Sequence, residues 1–277
     1  MRFADLTQTT PARSFGLRAN RQAARPQTRP VQVVVLAAGM GTRLGRPLPK
    51  PLTPLHDGRS ILQRQLDTVG QVLGPAVDVT AVVGFQCELV MQAAPDLRFA
   101  YNPHYARTNT SKSLLRGLRA TGPGGVLWLN GDVVFDAAVL EAIAPALQAD
   151  ESFVCVDTSV VGDEEVKYTL DAEGWIDGLS KTVEGGLGEA VGINHVSAAD
   201  KAVLVEHLEA CGDQDYFERG METAIAEAGL RFRPLDISRW AAVEVDFEAD
   251  LDRANALFSG PRPHLHPVPD DVPDGTV

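Results

Sequence analysis

Residues 31–44 read VQVVVLAAGMGTRL, and this stretch of the chain decides the fold class. Apolar residues dominate its first part, 31–38, as is typical of a β-strand that is buried on both faces of a sheet. The strand runs directly into a turn that contains Gly39 and Gly41. In open α/β sheets such a turn lies at the carboxyl edge, where ligands bind. The stretch therefore predicts a buried first strand that ends at a ligand-binding loop.

Strand and helix patterns alternate after this stretch through the first half of the chain. Ser60 precedes a helical pattern whose apolar side chains, up to Leu73, recur on one face. Further helices are predicted at 88–93, 111–120 and 137–148, and further strands at 77–83, 98–101 and 126–130. Alternating strands and helices form right-handed crossovers, so we expect an α/β fold with a mostly parallel mixed sheet flanked by helices.

The second half of the chain changes character. The segments 167–170 and 175–179 flank a turn of small and polar residues at 171–174, which predicts a β-hairpin. After it we expect a strand at 188–196, a helix capped by Ser197 and running to about Cys211, a helix at 216–228, strands at 230–237 and 242–245, and a helix near 248–258. We see no internal repeat.

Composition and charge exclude several classes of protein. Of the 277 residues, 44% are hydrophobic, so the chain can bury a substantial core. The net charge of −12 argues against nucleic acid as a partner, because phosphate backbones are bound by basic surfaces. No apolar run approaches the roughly 18 residues of a membrane span, and the start does not resemble a signal peptide. The three cysteines are widely spaced, which is typical of reduced thiols, and we expect a cytoplasmic protein.

Two end segments differ from the region 30–259, which we expect to be the functional domain. Residues 1–29 contain six arginines but a single acid, Asp5. We expect a flexible extension there; the alternative is an arm that docks on an acidic partner or on a second subunit, which leaves a homodimer open. Residues 260–277 are rich in proline and are expected to form a disordered tail.

The glycine-rich turn carries residue types that bind phosphate. Gly39 and Gly41 have no Cβ, so backbone N–H groups can approach phosphate oxygens closely. Arg43 adds a forked cation that suits phosphate. Leu44 stands where a dinucleotide-binding GxGxxG motif needs its third glycine, which argues against an oxidoreductase. A Walker loop is excluded because no Gly-Lys-Ser/Thr occurs.

A lysine between two prolines follows the turn. Lys50 stands in Pro49-Lys50-Pro51, and the proline rings stiffen the backbone, which lowers the entropy cost of holding the ammonium group in place. A glycine turn alone could be an ordinary surface turn with incidental charges. The combination of Gly-x-Gly-x-Arg with Pro-Lys-Pro is more specific and favours a phosphate site.

Two aspartates follow predicted strands at the same edge of the sheet. Asp132 comes after the strand at 126–130, and Asp246 comes after the strand at 242–245. Either aspartate alone could be a turn or N-cap residue, because Asp is common in both roles. Together, near a triphosphate, they would offer the hard oxygen ligands that Mg²⁺ takes alongside phosphate oxygens. The sequence therefore predicts a Mg²⁺ site at this edge.

These motifs resemble the signature of the sugar-nucleotidyltransferase superfamily, whose members have a Rossmann-like, GT-A-like α/β fold. The matching segments are LAAGMGTRL at 36–44 and PKPL at 49–52. The resemblance implies that Arg43 and Lys50 are catalytic cations at the triphosphate and the departing pyrophosphate. The residues that it assigns to nucleotide binding in this loop are Ala37, Ala38, Gly39, Gly41 and Thr42.

The later motifs resemble the CTP:phosphocholine cytidylyltransferase branch of this superfamily. Asn130-Gly131-Asp132 is similar to the family's metal-binding aspartate motif, and 240–246 is similar to the C-terminal motif that supplies a second metal aspartate, here Asp246. The tryptophan of that motif, Trp240, is displaced by two positions. The resemblance implies that both aspartates bind Mg²⁺.

The same resemblance assigns residues beside the nucleotide and on the acceptor side. It places Gly84 at the base pocket, and it places Asn109 and Ser113 at a helix N-terminus that borders nucleotide and acceptor. The residues similar to acceptor-side residues of the family are Lys167, Lys181 and Glu189, with Lys181 as a further catalytic cation. Either lysine could equally be a solvated strand residue.

Two aromatic residues of the predicted hairpin are candidates for acceptor binding. Tyr168 and Trp175 could surround a quaternary ammonium group, although core packing explains them equally well. An aminoalkyl or hydroxyalkyl phosphonate or a polyol phosphate is as good a candidate acceptor as phosphocholine.

The motifs together predict a Mg²⁺-dependent cytidylyltransferase. It would move CMP from CTP to a small phosphorylated alcohol or phosphonate and release pyrophosphate. One rival is a sugar-1-phosphate nucleotidyltransferase that uses UTP, dTTP or GTP. A rival of another class is a non-catalytic nucleotide-sensing protein of the same fold. The sensor reading is disfavoured because all four charged residues are present, namely Arg43, Lys50, Asp132 and Asp246.

Overall fold

A computed structural model describes residues 30–159, 162 and 165–259. The strands are β1 (Gln32–Ala37), β2 (Asp78–Val83), β3 (Arg98–Tyr101), β4 (Val126–Asn130), β5 (Val133–Phe135), β6 (Phe153–Asp157), β7 (Lys167–Leu170), β8 (Ile176–Ser180), β9 (Glu189–Val196), β10 (Arg233–Asp236) and β11 (Ala242–Glu244). The helices are α1 (Ile61–Leu73), α2 (Cys87–Ala93), α3 (Thr110–Ala120), α4 (Ala137–Gln148), α5 (Lys201–Ala210), α6 (Phe217–Ala228) and α7 (Glu248–Ser259), with a short 3-10 helix over Lys50–Leu52. The predictions for 1–29 and 260–277 lie outside the described residues.

The central sheet is mixed and mostly parallel, as predicted. Its strand order is β10-β6-β9-β4-β1-β2-β3. β1 is parallel to β2 and β4, β2 is parallel to β3, and β10 is parallel to β6. Only β9 runs antiparallel to its neighbours β4 and β6 within this order. The fold class expected from the sequence is confirmed.

Strand β1 is buried on both faces because a layer of helices covers each face of the sheet. Val33 and Val35 point into one hydrophobic cluster, which also holds side chains of α1, α2 and α4. Val34 points into the other, which holds side chains of α3, α5 and α6. All three valines have no exposed surface. This packing fixes the end of β1, and with it the start of the glycine loop.

Local signals set the start of the first helix as the sequence predicts. The Ser60 hydroxyl accepts from the Gln63 N–H at 3.2 Å, and the Gln63 side chain accepts from the Ser60 N–H at 3.0 Å. This reciprocal capping box satisfies two N–H groups that the first helical turn leaves free. Ser197, in contrast, does not cap α5. Its hydroxyl accepts from the Asp200 N–H at 3.1 Å in the turn before the helix, and Asp200 is the N-cap residue.

The predicted hairpin is present, and two strands were not predicted. β7 and β8 pair antiparallel, and β7 joins the sheet beside β9. β6 was missed because its apolar run is short, and such runs do not distinguish strand from buried helix. β5 was missed because it has only three residues. Among the described residues, no helix is both long and apolar enough to cross a membrane.

Candidate active site

A cavity of about 300 Å³ opens at the carboxyl ends of β1 and β4. Its walls come from the glycine loop after β1, the short helix that begins at Lys50, the start of α3, the segment after β4, the end of β8, the start of α6 and the end of β11. A volume of this size lies at the lower end of the range for small-molecule sites. Twelve of the sixteen predicted site residues line it: Ala37, Ala38, Gly39, Gly41, Thr42, Arg43, Lys50, Asn109, Ser113, Asp132, Lys181 and Asp246.

The glycine loop is shaped around Lys50. Gly41 has φ +59°, a left-handed conformation that side chains other than glycine adopt at a cost. A Cβ added at Gly41 would lie 3.0 Å from the Cβ of Lys50. A Cβ added at Gly39 would meet nothing within 4 Å. The loop conformation therefore favours glycine at Gly41, whereas Gly39 leaves open space at the cavity wall.

Lys50 lies at the centre of the charged cluster. It begins the short helix between Pro49 and Pro51, and its side chain is almost fully buried, with 9% of the residue exposed. The Nζ atom donates to Asp132 Oδ2 at 2.9 Å and also to Asp246 Oδ1. Burial alone would lower the pKa of this ammonium group, but the two carboxylates outweigh burial and the pKa is raised. Lys50 is therefore charged in the physiological range.

A small second sheet brings the two aspartates together, and this corrects the sequence-based expectation. We expected the strand before Asp246 to end at the edge of the main sheet. Instead β11 pairs antiparallel with β5, and β5 begins directly after Asp132. The Val245 N–H donates to the Asp132 carbonyl at 3.0 Å. The physical reason for the meeting of the aspartates is therefore this pairing, not a shared edge of the central sheet.

Neighbouring groups hold each aspartate in place. A Cβ added at Gly131 would lie 2.4 Å from the Leu36 carbonyl oxygen, so only glycine lets the segment before Asp132 pack this closely on β1. Arg43 forms a salt bridge to Asp246 at 2.6 Å. The Asp246 N–H donates to the Asp250 carboxylate at 3.1 Å, at the start of α7. Both carboxylates therefore face the cations of the loop side of the cavity.

A third carboxylate, Glu244, completes an acidic cluster that the sequence analysis did not assign. Carboxylate oxygens of Asp132, Glu244 and Asp246 lie within 4.8 Å of one another. Burial raises the pKa of Glu244 well above its ordinary value, the charges of the two aspartates raise it further, and Lys50 opposes the rise. A signal for this residue was present, because Glu244 lies only two residues before Asp246 in the chain.

This donor set fits a divalent cation such as Mg²⁺. Carboxylate oxygens are the hard ligands that Mg²⁺ takes, and it uses them together with phosphate oxygens. Three carboxylates so close together repel one another, which contributes to the raised pKa of Glu244, and when all three are ionised Lys50 and Arg43 balance only part of the charge. A divalent cation held by Asp132, Glu244 and Asp246 would supply the remaining countercharge.

The predicted nucleotide-side residues mostly line the cavity but already have structural partners. Asn109 is the N-cap of α3, where its side chain accepts from the Thr110 N–H at 2.8 Å. The Ser113 hydroxyl accepts from the Asn102 side chain at 3.2 Å. Gly84 does not line the cavity; a Cβ there would lie 2.5 Å from the Cβ of Tyr105, which does line it. Gly84 therefore sets the position of the Tyr105 ring.

The predicted acceptor residues separate into two groups. Lys181 follows β8 and lines the cavity, with its Nζ 5.5 Å from the centre of the Tyr216 ring. Lys167, Tyr168 and Glu189 do not line the cavity. Tyr168 is 4% exposed and packs in the hydrophobic cluster under α6, so its position does not support acceptor binding. The reason is the period of β7, which turns Lys167 and Tyr168 to opposite faces.

Glu189 and the aromatic candidate Trp175 also have other neighbours. The Glu189 carboxylate accepts from the Gly162 N–H at 3.4 Å, and burial raises its pKa while this hydrogen bond opposes the rise. Trp175 lies between Arg231 and Arg233, whose guanidinium carbons are 5.6 and 5.8 Å from its ring centre. Neither aromatic candidate of the hairpin, Tyr168 or Trp175, belongs to the cavity wall.

The start of α6 supplies wall residues that sequence reasoning did not identify. Tyr216, Phe217 and Glu218 all line the cavity. The Phe217 N–H donates to the Thr110 hydroxyl at 3.0 Å, which joins α6 to α3. No local pattern marks these residues as functional, because their role depends on where α6 packs.

The comparisons with known proteins agree with this geometry. Residues 33–229 match the MobA-like NTP transferase domain. This range includes the glycine loop, Lys50 and Asp132 and ends before Glu244 and Asp246. The curated CMP-5'-(3-aminopropyl)phosphonate synthase of Streptomyces rubellomurinus is 34% identical over 269 residues, an alignment that covers 88% of this chain and 41% of that protein.

Other relatives and solved structures agree in fold. The bifunctional protein GlmU of Streptomyces coelicolor is 37% identical over 143 residues, which covers 49% of this chain and 29% of GlmU. The chain thus spans well under half of the length of these two relatives. The inositol-1-phosphate CTP transferase from T. maritima superposes with a TM-score of 0.69 at 17% identity, covering 83% of this chain and 96% of that one.

A CTP:phosphocholine cytidylyltransferase from Streptococcus pneumoniae superposes with a TM-score of 0.63 at 17% identity, covering 82% of this chain and 99% of that one. At such identities the likeness concerns the fold alone. The domain match extends over more than half of the chain, and the nucleotidyltransferase resemblance of its motifs is confirmed. The chain belongs to the MobA-like NTP transferase domain family.

Proposed function

We propose that this protein is a Mg²⁺-dependent cytidylyltransferase that moves CMP from CTP to a small phosphonate or phosphate monoester and releases pyrophosphate. The observation that carries the proposal is the cluster of Lys50, Arg43 and three carboxylates beside a glycine loop in one cavity. The similarity to a CMP-5'-(3-aminopropyl)phosphonate synthase supports cytidine as the base and a phosphonate as the acceptor.

The reaction is a single displacement at phosphorus. An oxygen of the acceptor forms a bond to the α-phosphorus of CTP, and the bond from that phosphorus to the oxygen shared with the β-phosphate breaks. Pyrophosphate leaves with the electron pair of that bond. A phosphate monoester is already mostly dianionic at neutral pH, since its second pKa is about 6, so no general base is needed to activate it.

In this proposal the residues of the chain bind and orient the triphosphate and the acceptor, and they neutralise part of the phosphate charge. Gly39 and Gly41 line the cavity where we place the triphosphate, and a Cβ at Gly39 would meet nothing within 4 Å, so backbone N–H groups of this loop would be open to phosphate oxygens. Arg43 and Lys50 carry positive charge beside it, and Lys181 carries positive charge on the opposite wall, toward the acceptor. Fixed cations of this kind stabilise the charge that develops on a transferring phosphoryl group.

The cofactor we propose is Mg²⁺, held by Asp132, Glu244 and Asp246. When bound, it would screen the negative charge of the triphosphate and of the leaving pyrophosphate. CTP is the nucleotide partner that we propose. A cytoplasmic location stays a prediction from the sequence.

A pyrophosphate-release assay tests this function. Each of the four common nucleoside triphosphates would be combined, with Mg²⁺, with phosphocholine, aminoalkyl and hydroxyalkyl phosphonates, inositol phosphate and hexose-1-phosphates. We expect release only with CTP and a non-sugar acceptor. Release with a hexose-1-phosphate and UTP, dTTP or GTP would instead support the sugar-nucleotide alternative. The absence of pyrophosphate release with every combination would support the nucleotide-sensing alternative.

A further inference from the structure

Glu218 is a buried carboxylate in the wall of the cavity. It is the second residue of α6 and is 8% exposed. The helix start is fixed by the hydrogen bond from Phe217 to Thr110 and by the edge-on contact of the Phe217 ring with Trp128, at 5.7 Å between ring centres. Both contacts are made by Phe217, the residue directly before Glu218, and they hold the start of the helix against α3 and β4.

The Glu218 carboxylate lacks a full set of partners. Its Oε2 atom has no hydrogen-bond partner among the described residues. Burial raises the pKa of the group to about 7, its own N–H and Lys181 oppose the rise, and Glu222 adds to it. An unpaired polar atom in such a place is costly, and native proteins satisfy most of them.

The position at a helix N-terminus does not by itself account for Glu218. Carboxylates are favoured in the first turn of a helix, but that preference is met equally well by an exposed side chain. One turn later, Glu222 shows what a structural glutamate of this helix does, because it accepts from the Leu179 N–H at 3.2 Å. Glu218 lies in the cavity wall instead, and its Oε2 has no such partner among the described residues.

The surroundings of Glu218 suit a small cation that carries several N–H donors. The Tyr216 ring is part of the same wall, and the Lys181 ammonium group lies over it. The hairpin aromatics Tyr168 and Trp175 lie elsewhere, so neither contributes to a cage for a quaternary ammonium group. A primary ammonium group can donate to a carboxylate, whereas a quaternary one cannot.

We propose that Glu218 binds a protonated primary amine of the acceptor. The acceptor is then a zwitterion, an aminoalkyl phosphonate or phosphate, with its ammonium group at Glu218 and its anionic group toward Lys181 and Lys50. This inference rests on the proposed transfer of CMP to a small phosphonate or phosphate. It makes Glu218 a specificity-determining residue that no motif marks.

The test compares two acceptors that differ only in the amine. The ratio of kcat/KM for 3-aminopropylphosphonate to that for propylphosphonate is measured with CTP and Mg²⁺ in the wild type, in Glu218→Gln and in Glu222→Gln. We expect the wild type to prefer the amine by roughly 10- to 100-fold, as for a buried charged hydrogen bond. Glu218→Gln should lose this preference through a raised KM for the amine alone. Glu222→Gln should keep the ratio.

The outcomes separate this inference from the proposed function. Equal use of both acceptors by the wild type, or an equal loss with both in Glu218→Gln, would refute the role of Glu218 while CMP transfer to phosphonates stands. Transfer to a hexose-1-phosphate and to neither phosphonate would refute both. Thermal melts of the variants check that each one is folded, and we expect Glu218→Gln to fold because it removes an unpaired buried charge.

Discussion

The two ends of the cavity differ in whether their charged side chains are paired. At the loop end, Lys50 bonds two aspartates and Arg43 bonds one of them, so opposite charges already meet. At the α6 end, Glu218 is buried with an unpaired oxygen. The loop end is therefore arranged before any ligand binds, whereas the α6 end holds a charge that is best satisfied by a ligand. We propose on this basis a general phosphate site at the loop end and a site for acceptor selection at the α6 end.

The largest expected effect belongs to the loop end. Asp246→Asn keeps the shape of the side chain but removes a charge from the proposed Mg²⁺ site, and we expect kcat to fall roughly a thousandfold, since metal and charge stabilisation contribute several kcal/mol. Asp132→Asn should behave alike. The control is Asp252→Asn, which removes the same charge from an exposed position of α7 and should keep full activity. Near-normal turnover in the first two variants with Mg²⁺ would disprove the metal assignment.

At the α6 end, we expect the buried Glu218 carboxylate to lower the free energy of unfolding in a pH-dependent way. Folding raises the pKa of Glu218 from 4.5 to about 7. Between these values the folded protein keeps a proton that the unfolded chain releases, so this group lowers stability as pH rises toward 7, and its effect then levels off. Of the charged groups near Glu218, Lys181 lowers its pKa and Glu222 raises it.

Glu218→Gln removes this titration. Its free energy of unfolding relative to the wild type should rise by up to roughly 3 kcal/mol between pH 4 and pH 8, which corresponds to the size of the pKa shift. Denaturant unfolding without ligands at the two pH values measures this difference. A difference that does not change with pH would mean that Glu218 has a partner in the folded protein, and the contrast between the two ends would be lost.

The smallest expected effect comes from a pair of glycines near the loop end. Gly41 and Gly45 both have positive φ, of +59° and +66°, so Gly41→Ala and Gly45→Ala should each lose about 1–2 kcal/mol of stability. Only at Gly41 does the added Cβ press on Lys50, since nothing lies within 4 Å at Gly45. We expect kcat/KM for CTP to fall roughly tenfold in Gly41→Ala alone. Equal kinetics in both variants would show that the loop does not position Lys50.

The sequence was informative where local chemistry determines the structure. The buried strand, the glycine turn and both aspartates could be predicted because each lies at or next to a strand end, and Lys50 could be predicted from the Pro49-Lys50-Pro51 motif. Glu244 was missed although it lies only two residues before Asp246 in the chain. The pairing of β5 with β11 could not be foreseen, because three-residue strands carry too little pattern.

The acceptor end could not be predicted from the sequence in the same way. Tyr168 seemed a candidate because it lies on the hairpin, yet the strand turns it into the core. The sequence analysis did not single out Glu218, which lies within the helix predicted at 216–228. Its burial comes from the packing of α6 against α3 and the sheet, which depends on residues about a hundred positions apart in the chain.

The most direct test of the central claim is the ³¹P NMR spectrum of a reaction of the protein with CTP, 3-aminopropylphosphonate and Mg²⁺. Our account predicts that the CTP signals decline while signals of a phosphonate–phosphate anhydride and of pyrophosphate grow in equal amounts. If CTP is left intact, or is cleaved while the phosphonate signal stays unchanged, the protein does not join CMP to this acceptor and the account is contradicted.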